Sequence, residues 1–423
     1  MTEFKARAEA IESVEESAWL EEHPLIMPSR RPAHMALPQP DSPIPVPVTY
    51  TYPVAVFQEQ WQQKPNGIQP GTRKAAVLCG NRIRDYIFAL PALNALRLAY
   101  PETEIVLLGE DWQKEFLTGR PGPIDRIEVV PMQVIETKAG QIVDPESAEF
   151  LRKMAAENFD IAIQLQGSRQ QANLFLNKLH ARMTAGAREP DSAMLDRWVP
   201  HANYQLDSLR NLEVVSLIGA KPVSLEARVF VTKEDLEQAE PFLPKDGRQL
   251  VVIHPGASDP RRRWSVDQFA GVADALTWAG AQVVITGSRS ENEIAASVTR
   301  RMQAKPINAC GRLSLKGLTG LLSKAALVIG NDNGILHLAS ATGAATIGIY
   351  WCANLMTSGP TTRSRHRPAI SWRVNCPVCG LDVTRSNCEH QVSFVDDISK
   401  EEVVVSAIDL LKKEVNPLRI FLP

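Results

Sequence analysis

Residues 327–350 read LVIGNDNGILHLASATGAATIGIY. An apolar run, LVIGND (327–332), passes through Gly330-Asn331-Asp332-Asn333-Gly334 into a helical segment (334–342). It leaves by a second β-rich run, ATIGIY (345–350). Both runs are mostly apolar, as strands covered on both faces are. Strand, helix, strand in this order predicts a parallel βαβ unit, because parallel neighbours need a crossover between them.

The same alternation extends upstream through QLVVIHPG (249–256), helix 265–279, QVVITGS (282–288), helix 290–302, INACG (307–311) and helix 314–325. A second, less regular series precedes it: KAAVLCG (74–80), helical DYIFALPALNALRLAY (85–100), EIVLLG (104–109), RIEVVP (126–131) and IAIQLQ (161–166). A helical stretch at 207–219 leads to a strand at ARVFVT (227–232), and a last helix is expected near 399–414. These series predict an α/β protein of two Rossmann-like domains facing across a cleft. The expected divisions are 1–70, 71–215, 216–370 and 371–423. Residues 1–70 hold 11 of the 30 prolines and one glycine, Gly67, so they read as a Pro-rich arm with a short helix at 3–21. Residues 1–70 read either as disordered or as an arm that packs on the body or a neighbouring subunit through Val46, Val48, Tyr50 and Tyr52.

With 423 residues, 44% of them hydrophobic and 22% charged, the chain can build two full cores. A net charge of −2 argues against a nucleic-acid partner. The N-terminus alternates charges with no apolar core segment, which argues against a secretory signal. The longest stretch free of Asp, Glu, Lys and Arg, Asn333–Thr362, is broken by glycines and seven Ser/Thr residues. It reads as a buried helix and strand rather than a membrane span. A cytoplasmic protein is expected.

In open α/β folds the loops after the strands carry the ligand. In the 330–334 loop, the N–H groups of Asn333, Gly334 and Ile335 stand at a helix start and suit an anion such as a pyrophosphate. Gly334 allows close approach, and His337 lies one turn on. Asp332 or Asn333 equally fits a simple N-cap. In HPGASDPRRRW (254–264), a Gly-Ala-Ser turn ending at Ser258 precedes Arg261, Arg262 and Arg263, a pattern that suits a diphosphate or a solvated basic loop. No GxxxxGK[ST] and no GxGxxG follows any strand, which argues against a P-loop kinase and an NAD dehydrogenase. In CGNRIRD (79–85), Asp85 opens a long helix at the end of the first strand. It fits either a general base facing the cleft or a helix cap.

Together HPGAS…RRRWSVDQFAGVADAL, VVITGS…E, NDNGILHLASATG and, more weakly, RDYIFALPALNALRLAYP resemble glycosyltransferase family 9 over about residues 74–350. That family includes the heptosyltransferases of lipopolysaccharide assembly. The resemblance implies a GT-B fold and inverting transfer from a nucleotide sugar, ADP-heptose in the first instance, with no catalytic metal. It implies Asp85 as the catalytic base, Arg262 on the diphosphate, and Asp332, Asn333, Gly334 and His337 in the donor loop. Ser258 belongs to the same turn, and Glu291, or else Glu293, matches the nucleoside contact. Arg84 stands where the family usually has glycine, and Asn81 and Arg82 replace small residues, which would reshape the acceptor site. The implied partners are a nucleotide sugar and a saccharide, lipid-linked or protein acceptor. A lipid acceptor implies peripheral contact at the inner membrane, and the arm leaves room for an oligomer. A binding scaffold without turnover, or a transferase using another nucleotide sugar, shares these features.

Cys376, Cys379, Cys388 and His390 have the spacing C-x2-C-x8-C-x-H. That set suits a tetrahedral structural metal, zinc first. Iron is the alternative implied by relatives of the heptosyltransferases that carry a cysteine-bound iron. A redox CxxC pair and free thiols are the other readings. Arg363, Arg365, His366, Arg367 and Arg373 form a basic run that faces either an anionic ligand or solvent.

Overall fold

The computed structural model describes residues 67–131, 145–166, 170–384, 386 and 388–414. The Pro-rich arm, except Gly67–Pro70, and its expected helix lie outside them. All described residues belong to one compact unit, Glu59–Pro423.

The first half carries β1 (Lys74–Leu78), β2 (Glu104–Gly109), β3 (Arg126–Val129), β4 (Ile161–Gln164), β5 (Met183–Arg188) and β6 (Arg197–Pro200). Its helices are α1 (Ile83–Ala99), α2 (Asp111–Leu117), α3 (Pro145–Ala156), α4 (Gln170–Asn177) and α5 (Asp207–Ser216). The second half begins with α6 (Lys233–Ala239) and continues with β7 (Leu250–His254), α7 (Val266–Trp278), β8 (Gln282–Ile285), α8 (Asn292–Arg301) and β9 (Ile307–Asn308). It closes with α9 (Leu315–Lys324), β10 (Leu327–Asn331), α10 (Gly334–Ala341), β11 (Ala345–Trp351), α11 (Cys352–Ser358), β12 (His366–Ser371) and α12 (Lys400–Glu414).

The strand orders are β3-β2-β1-β4-β5-β6 and β12-β11-β10-β7-β8-β9, all pairs parallel. Both are the doubly wound order, with the direction of winding reversing between β1 and β4 and between β7 and β10. Ligands bind outside the strand ends at such points.

Each central strand feeds two cores, because successive side chains point to opposite faces. Ala76 and Leu78 join Met154, Phe159 and Phe175 on one side of the first sheet. Ala75 and Val77 join α1 on the other. In the second half, Val251 and Ile253 pack with Trp264, Phe269, Val403 and Leu410. The cluster around α1 continues through Leu338 and Ala339 to Val252 and Leu322, so apolar packing of α1 on α10 joins the halves. A buried ion pair joins them as well. The Arg120 guanidinium donates to both Asp235 oxygens at 2.6 and 2.9 Å and lies 4.0 Å over the Phe116 ring. Its side chain is 3% exposed and that of Asp235 is fully buried.

Three expectations change. ARVFVT forms no strand: Val229 donates one backbone bond to Ala341 at the end of α10. MTAGAR and RWVP, which carry no apolar run, are β5 and β6. Part of the basic run is the edge strand β12, where Pro368 is tolerated. There Arg367 pairs with Asp409 at 2.7 Å and Arg365 donates to the Gly343 carbonyl, so these two cations serve the fold.

Candidate active site

The site grows from the β7 and β10 ends. Asn331, fully buried, donates from Nδ2 to the Pro255 carbonyl at 2.8 Å and accepts the Trp264 N–H on Oδ1 at 3.0 Å. One side chain thus ties both ends of the 254–264 loop to β10. Trp264, 1% exposed, donates from its indole to Ile398 and anchors the loop's far end.

Asn333 is the N-cap of α10. Its Oδ1 accepts from Ile335 and Leu336 N–H at 2.9 and 3.1 Å, and its Nδ2 donates to the Gly256 carbonyl at 2.7 Å. The expected Ile335 donor is therefore taken, which leaves the N–H groups of Asn333 and Gly334 for an anion. Gly334 makes room for protein before ligand: a Cβ there would lie 2.9 Å from Ile83 Cβ and 3.1 Å from Arg84 N.

Asp332 is 1% exposed. Its Oδ1 accepts from His337 Nε2 at 2.9 Å and from Ser358 Oγ at 3.0 Å, and its Oδ2 lies 3.4 Å from Arg262. Burial alone would raise this carboxyl. The bond from His337 and the charges of His337, Arg262 and Arg84 outweigh it and hold it below the usual range. His337 itself turns away from the cleft, toward a cavity of about 60 Å³ shared with Tyr350, Ser358 and His366. The Phe88 ring from α1 lies 4.7 Å from its imidazole.

The three arginines divide. Arg261 binds Asp259, Arg263 donates to the Ala257 carbonyl at 2.8 Å, and only Arg262 lines the cleft. At the far wall, Glu291 Oε2 accepts from Ser288 N and Oγ, both at 2.8 Å. Its Oε1 lies 3.8 Å from His254 Nε2 and fills the space where a Cβ on Gly256 would go. Burial pushes the His254 imidazole down, and the Glu291 charge opposes that shift. Burial opposes the Glu291 charge, but His254 and the Ser288 donors hold its carboxyl below the usual range. Glu293 is exposed and does not line the cleft, which leaves Glu291 as the glutamate there.

These walls enclose about 510 Å³. Ser258, Arg262, Glu291, Asp332, Asn333 and Gly334 all face it, joined by Arg82, Ile83 and Arg84 from the first half. Asp85 is not among the lining residues. It sits in the first turn of α1, where its Oδ2 accepts the Arg82 N–H at 3.3 Å, and its side chain is 25% exposed. Asn331, His254 and Ser358 escape a linear reading, since each acts through a partner distant in sequence.

The ligand atoms of Cys376, Cys379, Cys388 and His390 lie within 4.8 Å of one another. His390 Nδ1 is buried with no hydrogen-bond partner. The Cys379 N–H leads the contacts that lower the Cys376 thiol to about 6. Clustered thiols, one already acidified, and an imidazole nitrogen without a partner fit a tetrahedral metal. The knuckle is tied to the arginine loop by Phe394 N–H to Arg261 O and Ser393 Oγ to Arg263 O, both 2.7 Å. The Tyr204 hydroxyl donates to Thr384 O from the first half.

The profile of "Glycosyltransferase family 9 (heptosyltransferase)" matches residues 147–391. The chain belongs to glycosyltransferase family 9. The match takes in the 254–264 and 330–337 segments and the cysteine cluster, and Asp85 lies outside it. A curated member, the lipopolysaccharide core heptosyltransferase OpsX of Haemophilus influenzae, is 23% identical over 297 residues, 68% of this chain and 82% of that one. Among solved structures, the family 9 glycosyl transferase of Veillonella parvula superposes with a TM-score of 0.68 at 22% identity, over 82% of this chain and all of that one. The ADP-heptose lps heptosyltransferase II of E. coli gives 0.65 at 18%, over 81% of this chain and all of that one. Two facing Rossmann-like halves are the GT-B arrangement, and the protein is a glycosyltransferase. No helix among the described residues is long and apolar enough to cross a membrane.

Proposed function

We propose that this glycosyltransferase moves heptose from ADP-heptose, with inversion, to a hydroxyl of a lipopolysaccharide-type or protein acceptor. The observation that carries the reading is the cleft at the second winding reversal, where Arg262 and the start of α10 converge beside the buried Asp332. Its donor rests on the relatives, whose names are those of heptosyltransferases.

In this reading residues 71–215 receive the acceptor and 216–370 hold the donor, with Glu291 and Ser258 at the nucleoside and Arg262, Asn333 and Gly334 at the diphosphate. Asp332 and His337 act behind them by fixing Arg262 and the loop. As the acceptor oxygen forms its bond to the anomeric carbon, its proton passes to Asp85. The bond from that carbon to the phosphate oxygen breaks on the opposite face, and the electron pair leaves with ADP. Arg262 and the α10 N–H groups stabilise that charge without a divalent ion. Cys376, Cys379, Cys388 and His390 would hold a metal whose chemistry is structural, pinning the C-terminal loop. Chelation is expected to lower metal content and melting temperature together.

A binding-only scaffold draws on one observation, the capping bond that Asp85 already makes. Turnover separates the two. Incubation with ADP-heptose and a heptose-free core oligosaccharide or a protein acceptor should release ADP. The product should show the anomeric configuration opposite to the donor's by NMR. Retention of configuration, or no ADP release with any acceptor, would contradict the proposal.

A further inference from the structure

We infer that Arg84 is a second diphosphate-binding arginine, contributed by the first half and engaging the donor's β-phosphate opposite Arg262. The inference rests on the donor reading above and deepens it.

Arginines elsewhere in this chain show what a satisfied guanidinium looks like. Arg120 makes a two-pronged pair with Asp235, and Arg261 makes three bonds to Asp259. Arg84 has neither arrangement. Its nearest carboxylates, Asp207 and Asp85, lie at 3.8 and 3.9 Å, beyond hydrogen-bond reach. Asp207 is already engaged by Arg210 at 2.5 Å. Among the described residues no side-chain hydrogen bond satisfies Arg84, and its Nε is buried without a partner. Yet its side chain is only 21% exposed.

A largely buried cation with unmet donors is costly unless a ligand completes it. The position says which ligand. Arg84 lines the cleft with Arg262, Asn333 and Gly334, and its backbone N would lie 3.1 Å from a Cβ on Gly334. It therefore stands beside the start of α10, across from the arginine of the second half. Its charge already contributes to holding Asp332 ionised. The planar fork of a guanidinium matches phosphate oxygens, and a cation from each half would clamp the diphosphate between them.

The test is calorimetric titration of the full chain, as wild type, Arg84→Gln and Arg84→Lys, with ADP and with AMP. ADP affinity should fall about tenfold or more in Arg84→Gln, while AMP affinity stays within about twofold. Arg84→Lys, which keeps the charge without the fork, should fall between, with melting temperatures unchanged. Unchanged ADP affinity in Arg84→Gln would overturn the inference, and so would an equal loss for ADP and AMP. Acceptor binding weakened with ADP binding intact would likewise overturn it, by assigning Arg84 to the acceptor. If the wild type binds no ADP, the donor reading itself fails. Should Arg84→Gln not fold, Arg84→Lys carries the same ADP-against-AMP comparison.

Discussion

The two halves share one strand order but finish their functional ends differently. In the second half Asn331, Asp332, Asn333 and Glu291 are all hydrogen-bonded within the protein. In the first half Arg84 Nε, Gln166 Oε1, His201 Nδ1 and Arg210 Nε are buried with no hydrogen-bond partner. Among the described residues of the second half, only His390 Nδ1, in the cysteine knuckle, shares that state. A half whose polar groups satisfy one another holds its geometry unaided. A half with unmet buried groups leaves positions that water or a ligand can complete. The 254–264 and 330–334 loops are thus held by their own hydrogen bonds, and most of the unmet groups lie in the first half.

The largest expected effect tests that division at the first half. Asp85→Asn keeps an acceptor for the Arg82 N–H but cannot take a proton. It should lower kcat about 10²–10⁴-fold while leaving ADP affinity intact, measured by ADP release and calorimetry. A variant with full turnover would remove Asp85 from the chemistry and leave it as a cap.

The link between the halves comes next. Arg120→Ala strands the buried Asp235 carboxylate and should destabilise the fold by about 3–5 kcal/mol in denaturant titration. Replacing both partners with apolar residues should recover much of that loss.

Within the second half, Arg262→Ala should weaken ADP binding about 10–100-fold, the range of a charged hydrogen bond. A smaller effect belongs to pH. The native Asp332 carboxyl lies below its unfolded value of about 3.9, so its stabilisation is complete above that pH. It is lost as pH falls through the lower native value. Glu128, Glu157 and Asp160 are depressed in the same direction, so the signal is the difference between wild type and Asp332→Asn in stability measured against pH. Equal acid slopes in the two would contradict the ionised Asp332.

The central strands were legible because burial on both faces writes an unbroken apolar run, as in Leu327–Ile329 and Val251–Ile253. β5 and β6 were not, because their pairing rests on partners. Thr184, for example, is held by Asp196 through its N–H and hydroxyl. ARVFVT has strand composition but pairs with no strand, and its Val229 N–H goes to Ala341 at the end of α10. In the site, Arg262, Asp332 and Asn333 stood out because a strand-to-helix junction puts donors where an anion binds. Sequence alone placed His337 at the anion, whereas the structure spends it on Asp332. The clamp of Asn331 on Pro255 and Trp264 needs two strand ends side by side, which only the folded sheet provides.

The most direct measurement is calorimetric titration of the protein with ADP-heptose, with UDP-glucose and GDP-mannose as competitors, repeated on Asp332→Ala. Selective binding of ADP-heptose, weakened by the substitution, is the predicted result. Preference for another nucleotide sugar, or no binding of any of them, would contradict the assignment of this cleft to an ADP-heptose donor.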